Sequence, residues 1–175
     1  MKVVFLDRDG TINVDHGYVH RREDWEFTEH AVDALRGLRQ AGFALAVVSN
    51  QSGIATGRYT RADVDALQRF VTKLLDDAGV RIDAWAFCPH AAAEDCPCRK
   101  PRTGMVRDIE RQLDEPIDFA RSWTIGDKPS DVLFGAASNM RTVLLTSRYW
   151  SPADEACTPT YRAANLFDAC RVVTL

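Results

Sequence analysis

Short, uninterrupted apolar runs alternate along this chain with longer stretches whose apolar residues recur at helical spacing. Val3-Val4-Phe5-Leu6 and Phe43-Ala44-Leu45-Ala46-Val47-Val48 are the clearest runs. A strand apolar on both faces is buried on both, as in a parallel sheet covered by helices. Between these runs, over 30–41, Ala31, Ala34, Leu35 and Leu38 fall on one helical face, and Gly42 supplies the stop. Over 61–78 the same pattern returns with Val64, Leu67, Val71, Leu74, Leu75 and Ala78. Thr60 is placed to cap that helix and Gly79 to end it. Further strands are predicted at 84–87, 122–126 and 142–146, and helices at 104–113 and 129–138. Tyr161 to Ala164 reads as an edge strand, with Asn165 capping a short last helix. Strands separated by helices of about 10–18 residues are repeated βαβ units, which predicts an α/β fold with a doubly wound parallel sheet. In such a sheet a ligand sits beyond the carboxyl ends of the strands.

The 175 residues are expected to form one domain, 1–175, with no linker or repeat to divide it. With 46% apolar and 27% charged residues, the composition is that of a globular protein. Lys plus Arg number 22 against 25 Asp plus Glu, a net charge of −3. That balance argues against a nucleic-acid-coating surface or a polybasic membrane anchor. Phe43–Val48, the longest apolar run, is too short to span a bilayer, and Asp7 interrupts any signal-peptide pattern. Five cysteines cannot all pair within one chain, so the expectation is a cytoplasmic protein with reduced thiols.

Three predicted strand ends carry polar residues. The first ends in Asp7-Arg8-Asp9-Gly10-Thr11. Residues two apart on extended backbone point the same way, so both carboxylates can face one site. Carboxylates that close repel unless a cation or a shared proton separates them, and a hard ion such as Mg²⁺ suits them. Gly126-Asp127-Lys128-Pro129-Ser130-Asp131 follows another strand, so Asp127 can complete that metal site. Asp131 falls in the first turn of the next helix, where it can cap the helix or brace the site. Ser49-Asn50-Gln51-Ser52-Gly53 follows the second strand and offers a hydroxyl and backbone N–H groups to phosphoryl oxygens. Cys88, His90, Cys96 and Cys98 lie as C-x-H-x₅-C-x-C, four donors suited to a tetrahedral structural Zn²⁺ that would tie down the loop 88–98. Cys157 and Cys170 have no such context and read as ordinary thiols.

Together, Asp-x-Asp-Gly-Thr, Ser-Asn-Gln, a later Lys and Gly-Asp-x-x-x-Asp resemble, in order, the four motifs of the haloacid dehalogenase superfamily across residues 5–131. The resemblance implies a Rossmann-like hydrolase fold, here with no insertion long enough for a large cap domain. It implies Asp7 as a nucleophile that forms an aspartyl-phosphate and Asp9 as general acid/base. It also places Ser49 and Lys100 on the transferring phosphoryl group, and Asp7, Asp127 and the Asp9 carbonyl on Mg²⁺. These roles agree with the chemistry: a carboxylate nucleophile splits phosphoryl transfer into two easier steps, and cations neutralise the equatorial oxygens.

Within the superfamily the short zinc loop followed by Cys98-Arg99-Lys100-Pro101 resembles two groups. They are the D,D-heptose 1,7-bisphosphate phosphatases and the histidinol-phosphate phosphatases. The loop Asn13-Val14-Asp15-His16-Gly17-Tyr18-Val19-His20 resembles the substrate loop of the former. That resemblance places Asp15, His16, Gly17 and Tyr18 on a sugar, with Asn50, Gln51, Ser52, Arg99 and Lys128 completing the pocket. The expectation is a monomeric Mg²⁺-dependent phosphomonoesterase acting on a small phosphorylated metabolite. Heptose 1,7-bisphosphate is the leading substrate, and histidinol phosphate the alternative. A zinc-stabilised binding module without turnover is a remoter reading, since such a module needs none of Asp7, Asp9, Lys100 and Asp127 as a set.

Overall fold

The computed structural model describes residues 1–148 and 157–175. Six strands form one sheet: β1 (Val3–Leu6), β2 (Ala44–Asn50), β3 (Ala84–Cys88), β4 (Trp123–Gly126), β5 (Arg141–Leu145) and β6 (Tyr161–Ala163). Their order is β3-β2-β1-β4-β5-β6, and every neighbouring pair is parallel. The helices are α1 (Ala31–Gln40), α2 (Arg61–Asp77), α3 (Gly104–Glu110), α4 (Pro129–Ala137) and α5 (Leu166–Val173). This is the doubly wound α/β architecture expected from the alternating runs.

The period of two within each strand separates two cores. Val4 and Leu6 join Leu35, Leu38, Leu67, Leu75 and Ala169 beneath α1, α2 and α5. Val3 and Phe5 join Met105, Ile109 and Phe134 beneath α3 and α4. Helix ends follow local chemistry. The Thr60 hydroxyl accepts from Asp63 N at 3.2 Å and the Asp63 carboxylate accepts from Thr60 N at 2.7 Å, a reciprocal cap for α2. Asn165 accepts from Asp168 N at 2.9 Å and caps α5 as expected.

Two differences from the predicted elements bear on the site. β2 continues through Ser49 and Asn50, because these residues pair with Phe87 and Cys88 of β3. They therefore leave the sheet edge as strand residues, not as loop. α3 stops at Glu110, short of the predicted 113.

The chain builds β1, β2 and β3 outward on one side, then crosses back to place β4 on the other side of β1. Leu6 is in register with Val47 of β2 and with Ile125 of β4. Asp7 consequently emerges at the point where the strand order reverses, with Ser49 on one flank and Asp127 on the other. That junction is where an open α/β sheet leaves a crevice.

Candidate active site

Asp7 directly follows β1 with its backbone N–H on Ile125 O at 2.9 Å, and its side chain is buried. The buried Lys100 reaches it from the segment after the cysteine loop. Lys100 Nζ lies 2.8 Å from Asp7 Oδ1 and 2.6 Å from Asp131 Oδ1, and donates to Val48 O at 2.7 Å. Asp7 and Val48 O accept hydrogen bonds from the ammonium, and Asp131 pairs with it by charge. Asn50 fixes the backbone of the same lysine, accepting from Lys100 N at 3.0 Å and donating to Lys100 O at 3.2 Å. Asn50 thus lines the cavity and also positions the cation. Asp131 serves in both ways allowed by its place in α4: it pairs with Lys100, and its Oδ2 accepts from Lys128 N at 3.1 Å at the helix start.

Asp9 is held by four N–H donors. Arg8 Nε and Nη2, Asn13 Nδ2 and Gln51 Nε2 approach its oxygens at 2.9–3.1 Å. The same Gln51 amide donates to Ser49 Oγ at 2.7 Å and accepts from Tyr59 Oη at 2.6 Å, so one side chain links Ser49, Asp9 and Tyr59. Gly53 makes room for this: a Cβ there would lie 2.2 Å from the Tyr59 ring.

Burial pushes the Asp7 carboxyl up, but Lys100 and Lys128 outweigh it and hold Asp7 below the ordinary carboxylate range. Asp127 behaves oppositely: burial, with Asp7 and Asp131 nearby, outweighs Lys128 and raises it to about 7. Burial likewise raises Asp131 despite Lys100. Desolvation works against the Lys100 charge, but Asp131 and Asp7 more than offset it and raise its pKa.

The carboxylates of Asp7, Asp127 and Asp131 offer oxygens within 4.8 Å of one another, a hard donor set. Gly10, at φ +84°, turns the chain tightly over them; a Cβ there would sit 2.3 Å from Asp127 Oδ2. Asp7, Asp127 and Asp131 could together hold a divalent cation, although Asp131 is also paired with Lys100.

A second cluster lies behind the cavity. Cys88 Sγ is 3.1 Å from Cys98 Sγ, 3.6 Å from Cys96 Sγ and 3.4 Å from His90 Nδ1, and His90 Nδ1 is 3.3 Å from Cys98 Sγ. A zinc tetrahedron with bonds of about 2.3 Å has S–S edges near ~3.8 Å, so the four donors are gathered at close to the required spacing. The loop is joined to the active site through Arg99, whose Nη1 donates to His90 O at 3.2 Å.

A cavity of about 400 Å³ opens over Asp7, Asp9 and Lys100. Ser49, Asn50, Gln51 and Ser52 form one wall; Asp15, Gly17 and Tyr18 face them, and Arg99 and Lys128 also line it. Of the predicted pocket residues, His16 alone is absent from this lining. Gly17 at φ +81° and Tyr18 at φ +55° turn Tyr18 inward, while His16 Nε2 meets Glu26 Oε2 at 2.7 Å outside. Tyr59 and Ser130 line the cavity without having been predicted. Ser130 sits inside the Gly126–Asp131 motif, and Gly53 was a local sign of a close approach, but nothing local identified Tyr59 as the approaching ring.

Comparisons with known proteins agree with this geometry. Residues 2–154 match the family model described as polynucleotide kinase 3 phosphatase. The D-glycero-beta-D-manno-heptose-1,7-bisphosphate 7-phosphatase of Escherichia coli (strain K12) is 44% identical over 149 residues, 81% of this chain and 77% of that protein. The protein of the same name from Photorhabdus laumondii is 41% identical over 170 residues, 93% of this chain and 87% of that one. Among solved structures, D,D-heptose 1,7-bisphosphate phosphatase from B. bronchiseptica, complexed with magnesium and phosphate, has a TM-score of 0.88 at 29% identity, covering 99% of this chain and 98% of that one. The Burkholderia thailandensis enzyme has a TM-score of 0.71 at 26% identity, covering 98% and 97%. Sheet order, the paired acids and the buried lysine define a phosphatase of the haloacid dehalogenase class. Within that class, the chain belongs to the family of the D-glycero-beta-D-manno-heptose-1,7-bisphosphate 7-phosphatases.

Proposed function

We propose that this protein removes the 7-phosphate from D-glycero-D-manno-heptose 1,7-bisphosphate by way of an aspartyl-phosphate on Asp7. The observation that carries the reading is Asp7 itself: a buried carboxylate kept ionised by Lys100 at 2.8 Å, at the floor of a polar cavity. An ionised, desolvated carboxylate is a competent nucleophile. Its oxygen forms a bond to phosphorus as the phosphorus–sugar oxygen bond breaks. Asp9, once it leaves its four donors to carry a proton, gives it to the departing sugar oxygen, then takes a proton from the water that attacks phosphorus, releasing phosphate and restoring Asp7. Lys100 and Ser49 face the phosphoryl oxygens, and Gln51 orients Ser49 and Asp9 together.

Mg²⁺ held by Asp7, Asp127 and the Asp9 carbonyl supplies charge neutralisation at the transferring group. Zn²⁺ on Cys88, His90, Cys96 and Cys98 has a structural role, since four protein ligands leave no open position. Bound there, it would order the segment that carries Arg99 and Lys100. Asp15, Gly17 and Tyr18 bind sugar hydroxyls, with Asn50 and Ser52 opposite, and Arg99 and Lys128 receive a second phosphate. His16 lies outside this pocket, paired with Glu26. The reduced thiols suit a cytoplasmic setting, and among the described residues no helix is long and apolar enough to cross a membrane. The 175 residues act as one catalytic unit, as a monomer.

The test is phosphate release with Mg²⁺ from heptose 1,7-bisphosphate, histidinol phosphate and simple sugar phosphates. The expected order puts heptose bisphosphate first by kcat/KM. Equal or faster turnover of histidinol phosphate would overturn the substrate while leaving the reaction class in place.

A further inference from the structure

Lys128 reaches each of the oxygens assigned above to the divalent cation. Its Nζ is 3.0 Å from Asp127 Oδ1 and 3.6 Å from Asp7 Oδ2, and it donates to the Asp9 carbonyl at 3.3 Å. Lys100 stands in contrast. Its side chain is 2% exposed and is enclosed by Asp7, Asp131 and Val48 O. The Lys128 side chain is 39% exposed and lines the cavity, so an outward path is open to it. Along that path lies the Asp15 carboxylate, whose Oδ2 is 4.0 Å from Nζ. The backbone of Lys128 does not need to move, because Asp131 Oδ2 holds its N–H at 3.1 Å. A four-carbon stem on a fixed Cα permits the ammonium alone to change partners.

An ammonium and a hard divalent cation seek the same oxygens, and two positive charges at this separation in a partly dehydrated site repel strongly. We propose that Lys128 is a displaceable internal counter-ion of the metal site. Its ammonium balances Asp7 and Asp127 in the metal-free protein, and moves toward Asp15 and the cavity mouth when a divalent cation takes those oxygens. There it is delivered to the side of the pocket where a substrate phosphate enters. This inference rests on Asp7, Asp127 and the Asp9 carbonyl being the metal ligands.

Calorimetric titration with Mg²⁺, without substrate, separates the two claims. Lys128→Met is expected to bind Mg²⁺ about tenfold more tightly than wild type, because a competing positive charge is gone. Asp127→Asn is expected to bind at least about tenfold more weakly, having lost a charged ligand. If Asp127→Asn weakens binding while Lys128→Met leaves it unchanged or weaker, the counter-ion role is wrong and the metal site stands. If Asp127→Asn binds as wild type does, the metal-site assignment falls and takes the counter-ion role with it. A measurement on wild type guards against a variant that fails to fold. The chain has four lysines, Lys2, Lys73, Lys100 and Lys128, so their ¹⁵Nζ signals are few enough to assign. Adding Mg²⁺ is expected to shift the Lys128 ammonium signal and speed its proton exchange, while Lys100 stays protected. A Lys128 signal unmoved at saturating Mg²⁺ would refute the proposal.

Discussion

The acidic pocket at the β1–β4 junction and the Cys88–Cys98 loop each gather donor atoms within 4.8 Å, yet they are built on opposite plans. The pocket takes its oxygens from the ends of two neighbouring strands and the first turn of α4, so the sheet and the helix on it set their positions before any metal arrives. It also carries two internal cations, Lys100 and Lys128, and opens onto a cavity. The loop takes three thiols and an imidazole from residues mostly outside strand and helix, has no internal cation among its donors, and offers four ligands and no opening. A site that must admit substrate is preformed by the scaffold and balanced by movable charge. A site whose donors come from a loop would depend on a bound ion for its order.

The comparison breaks most visibly at Lys100. Lys100→Met leaves Asp7 and Asp131 buried without their cation, a loss of roughly 3–5 kcal/mol of stability by urea unfolding. Phosphate release should fall at least about a hundredfold in the same variant, since a buried charge aimed at the phosphoryl group is gone. Zinc content should stay at the wild-type level.

Cys96→Ser tests the other half. It should remove zinc, measured by metal analysis, and lower stability by roughly 3 kcal/mol, a Tm fall of about 6–12 °C. Added Mg²⁺ should not restore it. Asp127→Asn should do the reverse, weakening Mg²⁺ binding and keeping zinc.

A third test uses pH. Asp127 is raised from 3.8 to about 7, chiefly by burial, so its proton is held more tightly folded than unfolded. Its contribution to metal-free stability is therefore complete below about 3.8 and is lost as pH rises through about 7. Mg²⁺ needs the carboxylate, so its affinity should rise over the same window. Thermal unfolding with and without Mg²⁺ from pH 5 to 8 should show the gap between the two curves widening with pH.

Smaller effects locate the boundary of the site. Asn50→Ala removes two hydrogen bonds to the Lys100 backbone, which should lower stability by about 1–2 kcal/mol and kcat several-fold, with zinc unaffected. His16→Ala breaks only the exposed pair with Glu26, so stability should stay within about 0.5 kcal/mol and KM within about twofold.

The same contrast governs how much the amino-acid order revealed. Asp7 and Asp127 were legible because each follows directly on a strand signal, and parallel pairing carries such ends to one edge. The thiol cluster was legible because its ligands fall within eleven residues. Asn50 gripping the backbone of Lys100, and Tyr59 setting the Gln51 amide, were not. The first joins residues fifty apart through a crossover. The second depends on a loop conformation that only the folded sheet fixes. Ser49 and Asn50 were assigned to a loop because polar side chains end an apolar run, whereas their backbones are paired by β3. The turn that moves His16 out and Tyr18 in depends on positive φ at both Gly17 and Tyr18, and only the glycine advertises it. The partners of Lys128 were likewise illegible, since the Asp9 carbonyl carries no residue-type signal.

In this mechanism the phosphoryl group passes through Asp7. Acid quenching of wild type during turnover of heptose 1,7-bisphosphate, followed by mass spectrometry of the peptide carrying residues 1–8, tests it directly. One phosphoryl group is expected on Asp7, lost on treatment with hydroxylamine, with neither that adduct nor phosphate release from Asp7→Asn. Phosphate release from Asp7→Asn at the wild-type rate, or turnover with the phosphoryl group on another residue, would contradict it.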